Sequence, residues 1–258
     1  MQFVEIHTDG PVCTIVINRP EKRNAVDRHV ATELRQAFLQ LETDDALRVG
    51  VLCGAGGSFC AGADLSAVGD PARSNEVEAD GGGMGPMGPT RMALKKPLIA
   101  AISGHAVAGG LELALLADMR VADEDAILGV FCRRWGVPLI DGGTIRLPRI
   151  IGMGRALDLI LTGRPVDAAE ALGMGLVNRV VPSGSARQTA EQLAHLIAAF
   201  PQQCMLTDRA SAYRQWDLPL HEALQQEGAR GARIVLEEGV TGAARFVGGA
   251  GRHGTFDN

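Results

Sequence analysis

The sequence predicts an α/β protein. Two short and almost wholly apolar runs, Val49 to Gly54 (VGVLCG) and Pro97 to Gly104 (PLIAAISG), end in glycine and lead into small-residue turns. That is the pattern of buried strands feeding turns and helices. Before them, Val30, Leu34, Ala37, Phe38 and Leu41 recur at helical spacing after a strand-rich start. With 258 residues, 46% of them hydrophobic, the chain can bury a proper core, which excludes disorder, collagen and a small disulfide scaffold.

Taken in order, FVEIHT and VCTIVIN (Val12 to Asn18) are separated by Asp9-Gly10-Pro11 and predict a hairpin. Asp27 is the expected N-cap of the first helix, since its carboxylate can accept from the unpaired N–H groups of the opening turn. Asp70 to Met92, rich in Gly, Pro and acids and without apolar periodicity, predicts a mobile surface loop. It contains G-x-G-x-x-G at Gly83, Gly85 and Gly88, but no strand precedes it and Pro86 and Pro89 break the helix that would have to come after it, so a dinucleotide fingerprint is rejected. From Ile150 onward the pattern is helical. Arg155 to Gly163 is followed by Val166 to Gly175, where Asp167 and Glu170 have capping-box spacing and Gly173 is the expected C-cap. NRVVP adds a strand and a proline stop, and Ala186 to Ala199, Pro201 to about Tyr213, and Leu218 to Glu238 predict three further helices. The tail GGAGRHGTFDN is expected to be ordered only by contact with something else. No repeat of fixed period is visible.

Lys and Arg number 25 against 30 Asp and Glu, for a net charge of −5. Without a phosphate-neutralising surplus, nucleic acid is not an expected partner, and any bound anion must be held by local groups. Cys13, Cys53, Cys60, Cys132 and Cys204 are an odd set with no C-x-x-C pair and no zinc-finger histidines, which predicts free thiols in a reducing cytoplasm. The start MQFVEIHTDG carries Glu5 and Asp9 and lacks the basic-then-apolar order of a signal peptide. Pro97 to Ala117 has the length of a membrane span, yet it contains Gly104, His105, Gly109, Gly110 and Glu112 and reads as strand, tight turn and buried helix; no membrane is expected. Metal and triphosphate motifs (H-E-x-x-H, EF-hand, P-loop) are absent, so neither ligand is expected. His105 has no G-x-S-x-G partner and reads as a structural hydrogen-bonding histidine.

Chemistry concentrates at two strand-to-turn transitions, Phe59 to Leu65 (FCAGADL) and Gly104 to Leu113 (GHAVAGGLEL). Small residues there allow close backbone approach and can leave N–H groups unpaired at a helix N-terminus, and two such donors converging make an oxyanion hole. Close packing alone is the competing explanation. Glu112 stands in a first helical turn among Leu111, Leu113, Leu115 and Leu116, so burial is expected. A buried acid ordinarily has a reason, although the helix dipole also favours an acid at this place.

The ordered set NRPEKRNAV, FCAGADL, KKPLIAAISGHAVAGGLELALLAD, the GVP loop with DGGT, RALDLILTGRPVDAAEALGMGLVNRVVP and a closing EG…F resembles the crotonase (enoyl-CoA hydratase/isomerase) superfamily over almost the whole chain. It is similar in particular to the enoyl-CoA hydratases. The resemblance implies a crotonase-like spiral of ββα units over residues 1–185 with the acyl-CoA site, and a helical region over 186–258 for trimer contacts, giving a homotrimer or a hexamer of paired trimers. It implies an acyl-CoA thioester as ligand, with coenzyme A part of the substrate and no separate cofactor, and a lyase reaction that adds water to a 2-enoyl-CoA. Ala63 and Gly109 are then the oxyanion donors, and Glu112 the first catalytic glutamate, which holds and activates the water. Arg23, Ala25, Ala61, Asp64 and Leu65 lie along coenzyme A, with Arg252 of the tail as a phosphate contact.

One departure stands out. Hydratases carry a second glutamate four residues before the glycine that here is Gly136, and that position is Cys132. A thiol of ordinary pKa about 8.5 and weak donor strength does not replace a carboxyl group. Either Glu112 acts alone or another acid substitutes. The candidate is Asp141 in PLIDGG, as base, acid or nucleophile, with plain turn chemistry before Gly-Gly as the alternative. Arg133 and Arg134 flank Cys132 and would lower its pKa to make a reactive thiol, against a small core cysteine. Three functions are compatible with these residues: a hydratase, another crotonase reaction of isomerase, thioesterase or dehalogenase type using Asp141, or a non-catalytic acyl-CoA binder. Acyl-group selection falls to the pocket wall, much of it in Asp70 to Met92.

Overall fold

The computed structural model describes residues 2–251. It forms two compact units, Met1–Ala198 and Ala199–Asn258. The first opens with β1 (Val4–Asp9) and β2 (Val12–Ile17), an antiparallel hairpin. Gly10 turns it at φ +52°, in the left-handed region that glycine tolerates. Helix α1 (Arg28–Thr43) begins where Asp27 accepts the N–H groups of His29 and Val30, and its buried stripe is Val30, Ala31, Leu34, Ala37, Phe38 and Leu41. Next come β3 (Val49–Gly54), β4 (Leu98–Ile102), β5 (His105–Val107), α2 (Gly109–Leu116), β6 (Met119–Asp123) and β7 (Ile127–Gly129). The unit continues with α3 (Gly143–Ile151), α4 (Met153–Thr162), β8 (Val166–Asp167), α5 (Ala168–Gly173), β9 (Arg179–Val181) and α6 (Ala186–Ala199).

A six-stranded sheet runs in the order β1-β2-β3-β4-β6-β9, parallel from β2 onward, and a three-stranded sheet runs β5-β7-β8. Each of β3, β4 and β6 steps into a second layer and then into a helical turn. From β4 the chain passes to β5 and α2, and from β6 to β7 and the 3-10 turn Phe131–Trp135. From β3 it passes to Cys60, which bridges Ala106 in parallel, and then to the 3-10 turn Leu65–Ala67. This is the spiral of ββα units. It leaves no fixed period because the first unit carries residues 70–92 as an insertion, so the strands start at Val49, Leu98 and Met119.

β2 is buried on both faces, as a strand covered from both sides must be. One face, with Ile15, Ile17 and Leu52, joins the core of Leu34, Phe38 and Leu41 of α1 and Leu111 of α2. The other, with Val12, Val16, Val49 and Val51, packs with Ala186, Ala190, Leu193 and Ala194 of α6. Because α6 covers the sheet in this way it lies within the first unit. The second unit contains α7 (Gln202–Arg214), α8 (Leu220–Ile234), a π-helical turn (Val235–Gly239) and α9 (Val240–Val247).

Several local expectations change. The helical region starts at Gly143 rather than Ile150, since α3 accommodates Pro148. Asp167 caps α5 by accepting the Glu170 N–H, but the Glu170 carboxylate turns to Arg164 instead of closing the box. The left-handed glycine after α5 is Gly175, at φ +80°, and not Gly173. Leu218 to Glu238 is not a single helix; α8 starts at Leu220 and the helical path runs through a wide turn to Val247. Pro97 to Ala117 is β4, β5 and α2, and among the described residues no helix is long and apolar enough to cross a membrane. Arg252, with the rest of the tail from that point, lies outside the described residues.

Phe38, fully buried at the centre of the α1 stripe, tests the packing. Phe38→Ala should lower unfolding free energy by about 3–5 kcal/mol, read from the urea midpoint.

Candidate active site

Residues 59–64 thread between Val26 and β5. Cys60 donates its N–H to His105 and accepts from Val107, while Val26 donates to Gly62 and accepts from Asp64. The first turn of α2 is pressed against this thread. A Cβ on Gly110 would lie 2.1 Å from the Cys60 carbonyl oxygen, and one on Gly62, at φ +94°, would lie 3.0 Å from the Gly109 nitrogen. Only glycine fits at either place. Between β5 and α2 the chain turns at Ala108, whose φ of +54° and ψ of −127° are strained for a residue with a Cβ. Such strain costs about 1–3 kcal/mol and persists only where its surroundings enforce it. The Ala108 N–H, bonded to the Gly129 carbonyl at 2.9 Å, is one of the restraints.

The consequence is a pair of free donors. Neither the Ala63 N–H nor the Gly109 N–H has a protein acceptor among the described residues, and the contact of Gly62 with Gly109 places them at the same crossing. Gly109 is the first residue of its helix, where an N–H has no partner within the helix.

Glu112, one turn into α2, is 3% exposed. Its Oε1 accepts the backbone N–H groups of Asp141 at 2.9 Å and Gly143 at 2.8 Å, leaving Oε2 without a protein partner among the described residues. Burial and the nearby charge of Asp141 push its carboxyl group up to about 7, outweighing the two N–H donors and Arg146. Gly143 permits the contact, since a Cβ there would lie 2.8 Å from Oε1.

Asp141 is equally buried, but it is not an ordinary turn residue. Its Oδ1 accepts the Met87 N–H at 2.9 Å and the Thr90 hydroxyl. Burial raises its carboxyl above the usual range, against the pull of Thr90, Met87, Arg91 and Arg146. These bonds correct the expectation of a surface loop over Asp70 to Met92 at its end: residues 70–84 lie exposed or half-buried as expected, but residues 85–90 are buried beside the site. Met87 packs against Gly109, where a Cβ would meet its Sδ at 2.8 Å. Sequence reasoning missed Met87, Thr90, Arg91 and Arg146 because irregular backbone buries side chains without any period. The signal was in the glycines. Gly85, at φ +104°, has room only for a hydrogen beside the Thr90 hydroxyl, and Gly88, at φ +102°, sits against the Ala31 carbonyl.

Cys132 is the second residue of the Phe131–Trp135 turn and is buried. Burial, and then the charge of Glu112, raise its thiol above the ordinary value, and Arg133 does not compensate. The flanking arginines are engaged elsewhere: Arg133 with the Ile160 carbonyl, Arg134 with the Gly163 carbonyl and, at 4.5 Å, the Phe131 ring. Of the two readings the sequence leaves, a reactive thiol and a small core cysteine, the burial and the raised thiol fit the core cysteine.

Among the residues carried over for coenzyme A, Arg23 is exposed in a left-handed conformation and its carbonyl accepts the Ala61 N–H, while Ala25 is buried and Leu65 is half exposed. Asp64 is spoken for. Its carboxylate pairs with Arg19 at 2.9 Å and Arg73 at 3.1 Å and caps Ser66. Burial opposes that charge, but Ser66 and Arg19 outweigh it and hold the carboxyl below its usual range. Arg19 also faces Asp27 at 3.5 Å, a buried ion cluster the sequence did not reveal. Among the described residues no group of three or more His, Cys, Asp or Glu is arranged to hold a metal.

A sequence profile of the enoyl-CoA hydratase/isomerase family matches residues 7–236. The enoyl-CoA hydratase EchA19 of Mycobacterium tuberculosis is 36% identical over 236 residues, covering 89% of this chain and 87% of its own length. The carnitinyl-CoA dehydratase of Proteus mirabilis is 38% identical over 199 residues, 76% of this chain and 75% of its own. In crystal structures, an enoyl-CoA hydratase from M. tuberculosis superposes with a TM-score of 0.87 at 34% identity, covering 95% of this chain and 96% of its own. The EchA1 enoyl-CoA hydratase of Mycobacterium marinum gives a TM-score of 0.88 at 34% identity, covering 96% of both chains. The chain belongs to the enoyl-CoA hydratase/isomerase family of the crotonase superfamily. The two curated relatives are named as a hydratase and a dehydratase.

The environment of Glu112 makes stability depend on pH. Between 4.5 and about 7 the folded chain binds a proton there that the unfolded chain has released. Stability is therefore lost as pH rises through that window, by an amount on the order of 3 kcal/mol. Glu112→Gln keeps an oxygen for the two N–H donors and carries no charge. Its melting temperature should match wild type at pH 4, below the window, and exceed it at pH 8; equal melting at both would refute the assignment.

Proposed function

We propose that the chain is an enoyl-CoA hydratase, adding water across the double bond of a 2-enoyl-CoA through a thioester enolate. The observation that carries this reading is the pair of unpaired N–H groups, Ala63 and Gly109, beside one buried carboxyl, Glu112, that exchanges its proton near neutrality. The thioester oxygen accepts both N–H groups. As the water oxygen bonds to carbon β, the double-bond pair moves toward the carbonyl and the developing oxyanion is stabilised; removal of one such donor costs roughly 10²–10³ in rate in other enzymes. Glu112, through its free Oε2, takes the water proton and returns it to carbon α, so a single carboxyl balances the addition. A group that titrates near the working pH suits both halves of that transfer. The relatives named enoyl-CoA hydratase and carnitinyl-CoA dehydratase support the assignment.

Coenzyme A lies, in this reading, along Arg23, Ala25, Ala61, Asp64 and Leu65, with Arg252 for a phosphate. Asp64 acts there by shaping the wall, since its carboxylate is bound to Arg19 and Arg73. Exposed Leu220, Leu224, Leu236 and Phe246 in the second unit support assembly as a homotrimer or as paired trimers, and the free thiols support a cytoplasmic setting. Cys132 in place of a second glutamate favours one other reading: a different crotonase reaction through the same enolate, in which Asp141 shares proton transfer.

Loss of the conjugated-thioester absorbance of crotonyl-CoA separates the two. Glu112→Gln should reduce turnover by about 10²–10⁴ while sparing coenzyme A binding, and undiminished turnover would overturn the hydratase reading. Cys132→Glu should raise the hydration rate by restoring a second acid. No gain would favour the Asp141 reaction.

A further inference from the structure

Segment 85–91 has no regular secondary structure, and its own backbone supplies only turn bonds such as Gly88 to Gly85 and Arg91 to Met84. It is fastened by a set of bonds to the residues before and within the first turn of α3. Met87 and Thr90 both donate to Asp141 Oδ1, Arg91 donates to the Ile140 carbonyl at 2.8 Å, and Arg146 reaches the Thr90 carbonyl at 2.6 Å and the Asp141 carbonyl at 3.0 Å. The same Asp141 gives its backbone N–H to Glu112. One residue thus holds the wall against Gly109 by its side chain and the proton-transfer group by its main chain.

We propose that Thr90, Asp141 and Arg146 are positioning residues, clasping segment 85–91 to the start of α3 so that Glu112 and the Met87 wall beside Gly109 are held as one unit. A buried carboxylate is costly unless it is bonded, and every bond seen at Asp141 Oδ1 goes to this segment. Its function is to order the site, and Glu112 keeps the proton. The kinetic part of the proposal rests on the hydratase reading; the structural part does not.

The test compares full-length Thr90→Val, which removes the hydroxyl at constant shape, with Thr90→Ser, which keeps it. For crotonyl-CoA hydration, kcat should fall about tenfold in the valine variant with KM moved less than about twofold, and serine should restore it. The second readout is independent of turnover: the titration of Glu112 by carbon-13 NMR of carboxyl-labelled glutamate, its signal identified by its loss in Glu112→Gln. Glu112 faces Asp141, Arg146 and Cys132, and Asp141 faces Arg91 and Arg146, all of which the substitutions keep. Without the hydroxyl, Asp141 holds its proton to higher pH and repels Glu112 less. The Glu112 midpoint should then drop from about 7 by roughly half a pH unit or more, and return in Thr90→Ser.

A valine variant with wild-type kcat and midpoint, or a serine variant that fails to rescue, overturns the clasp. If wild type does not hydrate but the midpoint moves and is rescued, the clasp stands and the hydratase reading falls. Should Thr90→Val not fold, Arg146→Lys keeps the charge but can serve only one of the two carbonyls. It should show the same loss of kcat at nearly constant KM, and wild-type kcat there would also overturn the proposal.

Discussion

The structure depends on the contact of two backbones, residues 60–63 and the first turn of α2, at a distance that excludes side chains. Gly62 and Gly110 make the approach possible, and the Ala108 turn, strained at positive φ, brings α2 to it. Everything chemical in the site derives from that approach. It brings the free N–H of Ala63 and the free helix N–H of Gly109 to one place, and it fixes Glu112 one helical turn further on. Backbone donors placed in this way need no reorganisation when charge develops, which is why they are more effective than flexible side chains.

A second constraint is electrostatic. The first unit buries several carboxylates, and the way each is compensated decides its role. Asp64 and Asp27 both face Arg19 and Arg73, and these ion pairs hold the Arg19 to Ser66 region together. Glu112 has only hydrogen-bond donors and the charge of Arg146 to set against its burial and another acid beside it, and so its carboxyl is pushed up to about 7. The buried thiols lie at the other extreme. Burial pushes Cys53 and Cys60 up to about 12, and Cys132 is raised as well, so among these residues sulfur is packing material.

Much of this was legible because it is local. Asp27 caps α1, the stripe of α1 packs inward, and Val49 to Gly54 and Leu98 to Ile102 are buried strands, each dictated by side-chain period or capping chemistry. The small residues around Ala63 and Gly109 signalled unpaired donors, and Glu112 among leucines signalled a buried acid. Residues 85–90 were not legible, since their burial comes from bonds to Asp141 and Arg146 about fifty positions away. The sequence already offered Cys132 as a small core cysteine; what it did not show is that the adjacent arginines point to other carbonyls in space. The ββα units came only through the family resemblance, because an insertion of unequal length leaves no fixed period to read.

The sequence by itself determined the α/β class, the family through its ordered motifs, the positions of the oxyanion candidates and the glutamate, and the replacement of a second acid by Cys132. Tertiary structure decided the surroundings of each acid. Proton affinity depends on solvent exclusion and on charges brought near from distant parts of the chain, and neither is a property of neighbouring residues. Glu112 and Asp141 carry the same functional group and lie in the same buried region. Each accepts two donors on one carboxylate oxygen, Glu112 from the backbone N–H groups of Asp141 and Gly143 and Asp141 from the Met87 N–H and the Thr90 hydroxyl, and those partners are brought together only in the folded chain.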